Sequence, residues 1–391
     1  MRILLVHNYY RQPGGEDQVY SAETSLLRSM GHDVFNYQVS NGQIRDSRFL
    51  RNCLNTVWNR HAYAALEETV RHSSAEVVHF HNTFPLLSPS CYYAARKQGA
   101  AVVQTLHNYR LLCPAATFFR DGSPCQDCLA RVVPWPGIVH ACYRQNRAAT
   151  ATAAGMLLVH RAMRTWLRAV DLFVAPAEFA RRQFVAGGFP PHKVMVKPNF
   201  VSDDPGVGAG GGDYVLYAGR LSPEKGPQLL LEAWRRLRVP MKLKIVGNGP
   251  IQDHLMTRFG DLPGVEWLGW QPREMTLELM KSAKLLVVPS LWFEVLPTTI
   301  LEAFSVGLPV LAPSLGEMAT LIEDGRTGLH FRPQDGDQLC ERLTWAHQHA
   351  GELTRMRVAA RKEYEMKFTA ARNGRALIAL YQTALAARSR V

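Results

Sequence analysis

DYVLYAGRLSPEKGPQLLLEAWRRLRVPMKLKIVGNGP, residues 213–250, contains strand, helix and strand in immediate succession. YVLYAG is a short apolar run that stops at glycine. PQLLLEAWRRL carries its apolar residues at helical spacing behind a proline suited to a first helical turn. KLKIVG is a second short apolar run, again closed by glycine. This order makes two parallel strands joined by a crossover helix. The alternation continues downstream through VEWLG (265–269), KLLVVPS (284–290) and a helix from about Thr298. Upstream, RILLVH (2–7), a helix from about Val19 to Met30, HDVFNYQ (32–38), EVVHFH (76–81), AAVVQTLH (100–107) and DLFVAP (171–176) read the same way. The expectation is an α/β chain of two Rossmann-like, doubly wound parallel-sheet domains.

Length agrees, since 391 residues exceed the size at which one core keeps growing. The loop VSDDPGVGAGGG (201–212) reads as the hinge edge between the halves. The predicted domains are therefore 1–197 and 198–370, with a helix over 371–391 that extends the second domain or crosses back to the first. Hydrophobic residues at 47% and charged residues at 20% exclude disordered, collagen-like and coiled-coil classes. Lys and Arg number 45 against 33 acids, a net charge of +12. That balance favours phosphate-bearing partners, whether nucleotides, anionic lipid headgroups or nucleic acid. MRILLVHNYY reads as a strand rather than a signal peptide, so the expected location is cytoplasmic. The weakly apolar stretch Ala148–Val159 is too short to span a bilayer, which leaves only peripheral membrane contact.

Ligands of doubly wound sheets bind beyond the carboxyl ends of the strands, at helix N-termini. Three loops have suitable composition. QPGGEDQVY sets Gly14 and Gly15 at a helix start, either for close backbone approach to an anion or for a turn needing positive φ. It lacks GxGxxG, which lowers the case for a dehydrogenase. GRLSPEKG (219–226) brings Arg220 and Lys225 to one helix terminus. Two cations there repel unless an anion such as a diphosphate lies between them; the alternative is a solvated loop. SLWFEVLPTTILEAF (290–304) holds Glu294 in the loop, Pro297 and Thr298 at the helix start and Glu302 one turn inside. Carboxylates beside a phosphate site suit hydroxyl donors, although Glu302 also fits a plain helix-dipole role.

Between 111 and 147 the chain has no clear period, and its cysteines fall as C-x11-C-x2-C-x13-C. Cys113, Cys125, Cys128 and Cys142 make a candidate structural zinc set, with His140 able to replace one sulfur; reduced packing thiols are the alternative. Cys53, Cys91 and Cys340 read as isolated packing residues. Trp135, Ile138, Arg131, Arg144 and Arg147 would give this insert an apolar and basic surface.

Together these motifs carry a resemblance. Glu294 to Glu302 forms E-x7-E, and with GRLSPEKG, GNGP (247–250), SLGEMATLIEDGRTGLHF (314–331), KPNF (197–200) and the GG loop it resembles glycosyltransferase family 4, in the family's own order. The resemblance implies a GT-B fold with two domains facing a cleft, nucleotide-diphospho-sugar donors, and retention of anomeric configuration with no metal required for catalysis. It implies roles by position: Glu302 on the ribose hydroxyls, Glu294 on the sugar, and Arg220 with Lys225 on the diphosphate. Gly14 and Gly15 would lie against the diphosphate or sugar, and His107 near the donor sugar. Leu296, Thr298 and Thr299, with Pro297 setting the turn between them, would offer backbone N–H groups to phosphate, and the loop before Trp270 would cradle the base. His79 and His81, at a strand's carboxyl end, are acceptor-side candidates. The implied function is sugar transfer to a glycan or lipid-linked acceptor in bacterial cell-surface polysaccharide synthesis, with peripheral contact to an anionic membrane.

Two other readings stand beside it. The same fold could serve a sugar phosphorylase or epimerase. A basic chain with a four-cysteine zinc site could bind nucleic acid, but the informative cations sit in strand-to-helix loops rather than on one aromatic and basic stripe, so no nucleic-acid partner is expected.

Overall fold

Strand runs rich in Val, Ile and Leu, buried on both faces, force helices onto both sides of a sheet. A computed structural model of the chain describes residues 1–11, 14–43 and 49–388. These residues divide into two units, one drawn from Met1–Phe118, Cys125–Asn199 and 370–388, the other of Phe119–Pro124 and Phe200–Thr369.

In the first unit the strands are β1 (Arg2–Tyr9), β2 (Asp33–Ser40), β3 (Val77–Phe80) and β4 (Ala101–Thr105). A short antiparallel pair, β5 (Phe119–Arg120) and β6 (Ser123–Pro124), is counted with the second unit. β7 (Leu172–Ala175) and β8 (Val194–Val196) complete a parallel sheet of order β2-β1-β3-β4-β7-β8. The chain winds outward from β1 to β2 and then returns to the other side at β3, so the topological switch lies between β1 and β3. The first helix runs Gly15–Ser29, four residues earlier than its apolar periodicity indicates. Asp17 accounts for the early start: its carboxylate accepts from Gly14 N at 2.8 Å and caps the first turn.

The chain's last helix, Ala370–Arg388, belongs to this first unit. Leu377, Leu380, Tyr381 and Ala384 pack in one core with Ile3 and Leu5 of β1, Val77 of β3 and Val103 of β4. Burying Leu377 alone is worth about 1.5–3 kcal/mol.

The second unit has β9 (Tyr214–Ala218), β10 (Lys242–Val246), β11 (Val265–Gly269), β12 (Leu285–Val287), β13 (Val310–Pro313) and β14 (Gly328–Phe331). They pair in parallel in the order β11-β10-β9-β12-β13-β14. Here the switch lies between β9 and β12, so the loops following those two strands flank one crevice of the sheet's carboxyl edge. No described helix is long and apolar enough to cross a membrane.

Candidate functional site

The loop after β9 is built tightly. Gly219 N bonds Val246 O at 3.0 Å and Leu221 N bonds Asn248 O at 2.9 Å, so GRLSPEKG and GNGP hold each other. A Cβ on Gly226, at φ +66, would stand 2.1 Å from Pro289 O, which lies in the loop after β12. Only glycine lets the two switch-point loops approach this closely.

That approach brings Lys225 and Glu294 together. Lys225 Nζ donates to Glu294 Oε1 at 2.7 Å, and Ser290 Oγ donates to the same oxygen at 2.7 Å. Glu294 is buried and Lys225 partly open, with its ammonium 5.4 Å from the Trp292 ring centre. Arg220 is exposed in the same loop, its backbone carbonyl accepting from the Tyr217 hydroxyl at 2.9 Å.

The helix Thr298–Ser305 starts after Pro297 with no capping side chain, so its first N–H groups are open to an acceptor. Leu296 and Pro297 are buried, while Thr298 and Thr299 are half-buried. Glu302 is held by Arg273, whose Nε donates to its Oε1 at 2.8 Å. Burial raises the Glu302 carboxyl above its ordinary value, and the Arg273 charge pulls against that rise. Sequence reasoning missed Arg273, Ser290 and Trp292. Arg273 had a signal, since it opens the helix Arg273–Ser282, and a cation at a helix N-terminus is unfavourable without a carboxylate partner. Trp270, beyond β11, is 67% exposed.

In the first unit Gly14 is extended, at φ −134, so it is not there to supply a positive φ. Asp17, which holds Gly14, also bonds His7 Nε2 through Oδ1 at 2.7 Å, tying the glycine loop to β1. Gly15 is exposed at the helix N-terminus. His107 follows β4 and is half-buried, with its Nε2 3.0 Å from His81 Nδ1.

His79 and His81 require a correction. Both are buried, and both ring nitrogens of His79 are engaged, Nδ1 with the Tyr381 hydroxyl at 2.8 Å and Nε2 with Thr105 Oγ1 at 2.7 Å. Rings packed under helices cannot meet an acceptor, so the acceptor-side role expected for them is withdrawn.

The cysteine insert gathers its thiols without closing a site. Cys128 is buried, and burial, with the other three thiols nearby, pushes its pKa up to about 11. None of the four forms a disulfide. Among the described residues no three of their sulfurs come within 4.8 Å of one another. A tetrahedral site with metal–sulfur bonds of about 2.3 Å needs closer sulfurs, so the arrangement does not fit bound zinc as it stands.

Two family models match in sequence order. Glycosyltransferase Family 4 covers residues 19–204, and Glycosyl transferases group 1 covers residues 205–363, where the Lys225–Glu294 pair lies. The chain belongs to the family 4 glycosyltransferases. Among curated relatives it is 30% identical over 175 residues to the putative teichuronic acid biosynthesis glycosyltransferase TuaC of Bacillus subtilis, covering 43% of this chain and 41% of that protein. It is 27% identical over 271 residues to the alpha-D-kanosaminyltransferase of Streptomyces kanamyceticus, covering 64% and 63%. The chain thus spans less than two thirds of the length of these relatives. Among solved structures, Anabaena HepE in complex with UDP and glucose superposes with a TM-score of 0.72 at 16% identity, covering 98% of this chain and all of that one. The sucrose-phosphate synthase of Thermosynechococcus elongatus gives 0.71 at 15% identity, covering 98% and 99%. Identities this low bear on the fold alone, and the fold is GT-B.

Proposed function

We propose that the chain is a retaining glycosyltransferase that takes a sugar from a UDP- or GDP-linked donor. It passes that sugar to a glycan or lipid-linked acceptor in bacterial cell-surface polysaccharide synthesis. The observation that carries the reading is the Lys225–Glu294 pair at the switch point of the second sheet. A cation and a hydroxyl-accepting carboxylate side by side suit a ligand with a phosphate end and a sugar end. The UDP and UDP-glucose bound by the related HepE structures and the polysaccharide roles of curated relatives support the same choice.

In this reading Arg220 and Lys225 neutralise the leaving diphosphate, so charge stabilisation of the transfer step is assigned to the protein rather than to a metal. The backbone N–H groups of Leu296, Thr298 and Thr299, turned by Pro297, bind phosphate oxygens. Glu302, held by Arg273, accepts from the ribose hydroxyls, and Glu294 orients the sugar. Gly14, Gly15 and His107 of the first unit are assigned to the diphosphate and the donor sugar. The transfer follows a front-face course: the acceptor oxygen bonds the anomeric carbon as the glycosidic bond to phosphate breaks, and the leaving phosphate oxygen takes the acceptor proton. Mass-spectrometric trapping of a glycosylated Glu294 would replace this route with a double displacement.

Peripheral contact with an anionic membrane belongs to the same proposal. Val132, Trp135 and Val139 are 72%, 51% and 53% exposed, and Arg131 stacks over Trp135. No acidic residue occurs between Asp127 and Asp171. Co-sedimentation with phosphatidylglycerol vesicles but not phosphatidylcholine vesicles is expected. A structural zinc on Cys113, Cys125, Cys128 and Cys142 would have to draw those sulfurs together, and one zinc per chain by elemental analysis is its test.

The deciding experiment is a thermal-shift screen of UDP-, GDP- and ADP-sugars, run beside a nucleic-acid shift assay at physiological salt. Stabilisation by one sugar nucleotide, abolished in Glu302→Ala and Arg220→Ala, is expected. Nucleic-acid binding without such stabilisation would overturn the reading.

A further inference from the structure

Next to His107 the first unit buries a chain of titratable groups that the donor-site reading leaves unused. Glu23, from the helix Gly15–Ser29, is fully buried. Its Oε1 accepts from Lys197 Nζ at 2.7 Å, and that ammonium also donates to Asn373 Oδ1 at 3.2 Å and Pro198 O at 3.3 Å. Its Oε2 lies 3.4 Å from His81 Nε2, and neither of these two buried atoms has a hydrogen-bond partner among the described residues. Across the ring, His81 Nδ1 is 3.0 Å from His107 Nε2, with the two imidazoles stacked at 5.1 Å. Among the described residues His107 Nδ1 makes no hydrogen bond, and it is not one of the sealed polar atoms.

Buried orphan atoms call for an explanation. A metal held by Glu23, His79 and His81 is one, because a ligand atom from each lies within 4.8 Å of the others. Two facts oppose it. Both nitrogens of His79 already bond Tyr381 and Thr105, and Lys197 already answers the Glu23 charge. A second cation would be buried against the first with no further carboxylate on it.

The tautomers give a better account. Burial, with the Lys197 charge, holds His79 down at about 4 against the pull of Glu23, and burial, the neighbouring imidazoles and Lys197 hold His81 and His107 well below the ordinary imidazole value. All three rings are therefore neutral near pH 7, with one N–H each. The His81–His107 bond carries a single proton, on His81 Nδ1 or on His107 Nε2. Glu23 breaks the tie: a lone pair on His81 Nε2 would face a carboxylate oxygen at 3.4 Å, whereas an N–H there is attracted. His81 is thus protonated on Nε2 and accepts at Nδ1, so His107 must donate from Nε2.

We propose that Glu23, acting through His81, holds His107 as its Nε2-protonated tautomer, so that the free Nδ1 lone pair accepts a hydrogen bond from a sugar hydroxyl. A phosphate oxygen, having no proton to give, is rejected at that nitrogen. Glu23 and His81 are positioning residues that touch no substrate. The hydroxyl contact rests on the donor-site reading of His107; the tautomer does not.

The test is a long-range 15N spectrum of the full chain labelled in histidine, with His107 assigned by the signals lost in His107→Gln. Expected at neutral pH are a protonated Nε2 and an unprotonated Nδ1 on His107, with Nδ1 shifting when a sugar nucleotide that stabilises the protein is added. A protonated Nδ1, an imidazolium, or a chelatable equivalent of metal whose removal moves the His79 and His81 signals would overturn the tautomer. An unmoved Nδ1 with a bound sugar nucleotide would overturn the hydroxyl contact. Failure of every sugar nucleotide to bind would sink the donor-site reading instead. Glu23→Gln, whose amide can donate to His81 Nε2, is expected to reverse the tautomer and lower kcat about tenfold with KM moved less. Because that change strands a buried ammonium, Glu23→Gln with Lys197→Met is the companion, expected to show the same reversal.

Discussion

Lys225→Met removes a single charge from the second unit's switch point, and its consequences can be worked separately for folding and for ligand. Glu294 would keep Ser290 but lose its 2.7 Å partner while remaining 4% exposed. A hydrogen bond to a charged group is worth about 1.5–3 kcal/mol when both partners are buried. The lysine is 29% exposed, so solvent returns part of that, and about 1 kcal/mol is the expected loss. For a unit of this size that lowers the melting temperature by roughly 2–4 °C. For the ligand, losing one charge-assisted contact to a diphosphate should weaken binding by about 2–3 kcal/mol, or roughly 30- to 150-fold. Isothermal titration with the nucleoside diphosphate found in the screen, and with its parent nucleoside, separates the two effects. The nucleoside has no phosphate and should bind wild type and variant alike. Equal losses for both ligands, or an undiminished diphosphate affinity, would refute the assignment of Lys225 to phosphate.

Other expectations follow from single contacts. Because burial raises the Glu302 carboxyl, donor affinity should fall on the acid side at a pH above the ordinary glutamate range, and Glu302→Gln should abolish that limb in titrations across pH. For folding the sign is opposite: a carboxyl raised on folding lends stability below its unfolded value and loses it as pH rises through the folded one, so Glu302→Gln should flatten that decline in thermal melts. Gly247→Ala would set a Cβ 1.9 Å from Gly219 O at φ +129 and should cost about 1–3 kcal/mol by denaturant unfolding, more than Gly325→Ala, whose Cβ meets open space. Tyr381→Phe leaves His79 Nδ1 unpaired in the core and should cost about 1–3 kcal/mol, read by the same unfolding assay.

Much of this could be read along the chain, because apolar runs and glycine stops are local signals. β9, β10 and the helix between them follow directly from residues 213–250. The first helix was misjudged at its start because Gly15, Glu16, Asp17 and Gln18 form a capped polar turn with no apolar period. Side-chain partnerships were less legible. Glu302 meets Arg273 from another helix, and Glu23 meets Lys197 across 174 positions, and neither pairing leaves a periodic trace. Burial was also hidden: VVHFH shows two histidines at a strand's end, but only the helices above them reveal that the rings are sealed.

The helix Ala370–Arg388 also has a consequence for biosynthesis. Its leucines and Tyr381 complete a core begun by β1, yet ribosomes make it only after the whole second sheet. At about 5–20 residues per second, the roughly 170 residues between leave the early half of the nascent chain without its closing helix for about 10–30 s. During that interval His79 lacks its tyrosine and the leucine-lined groove stands open, a natural binding target for a chaperone that captures exposed apolar surface.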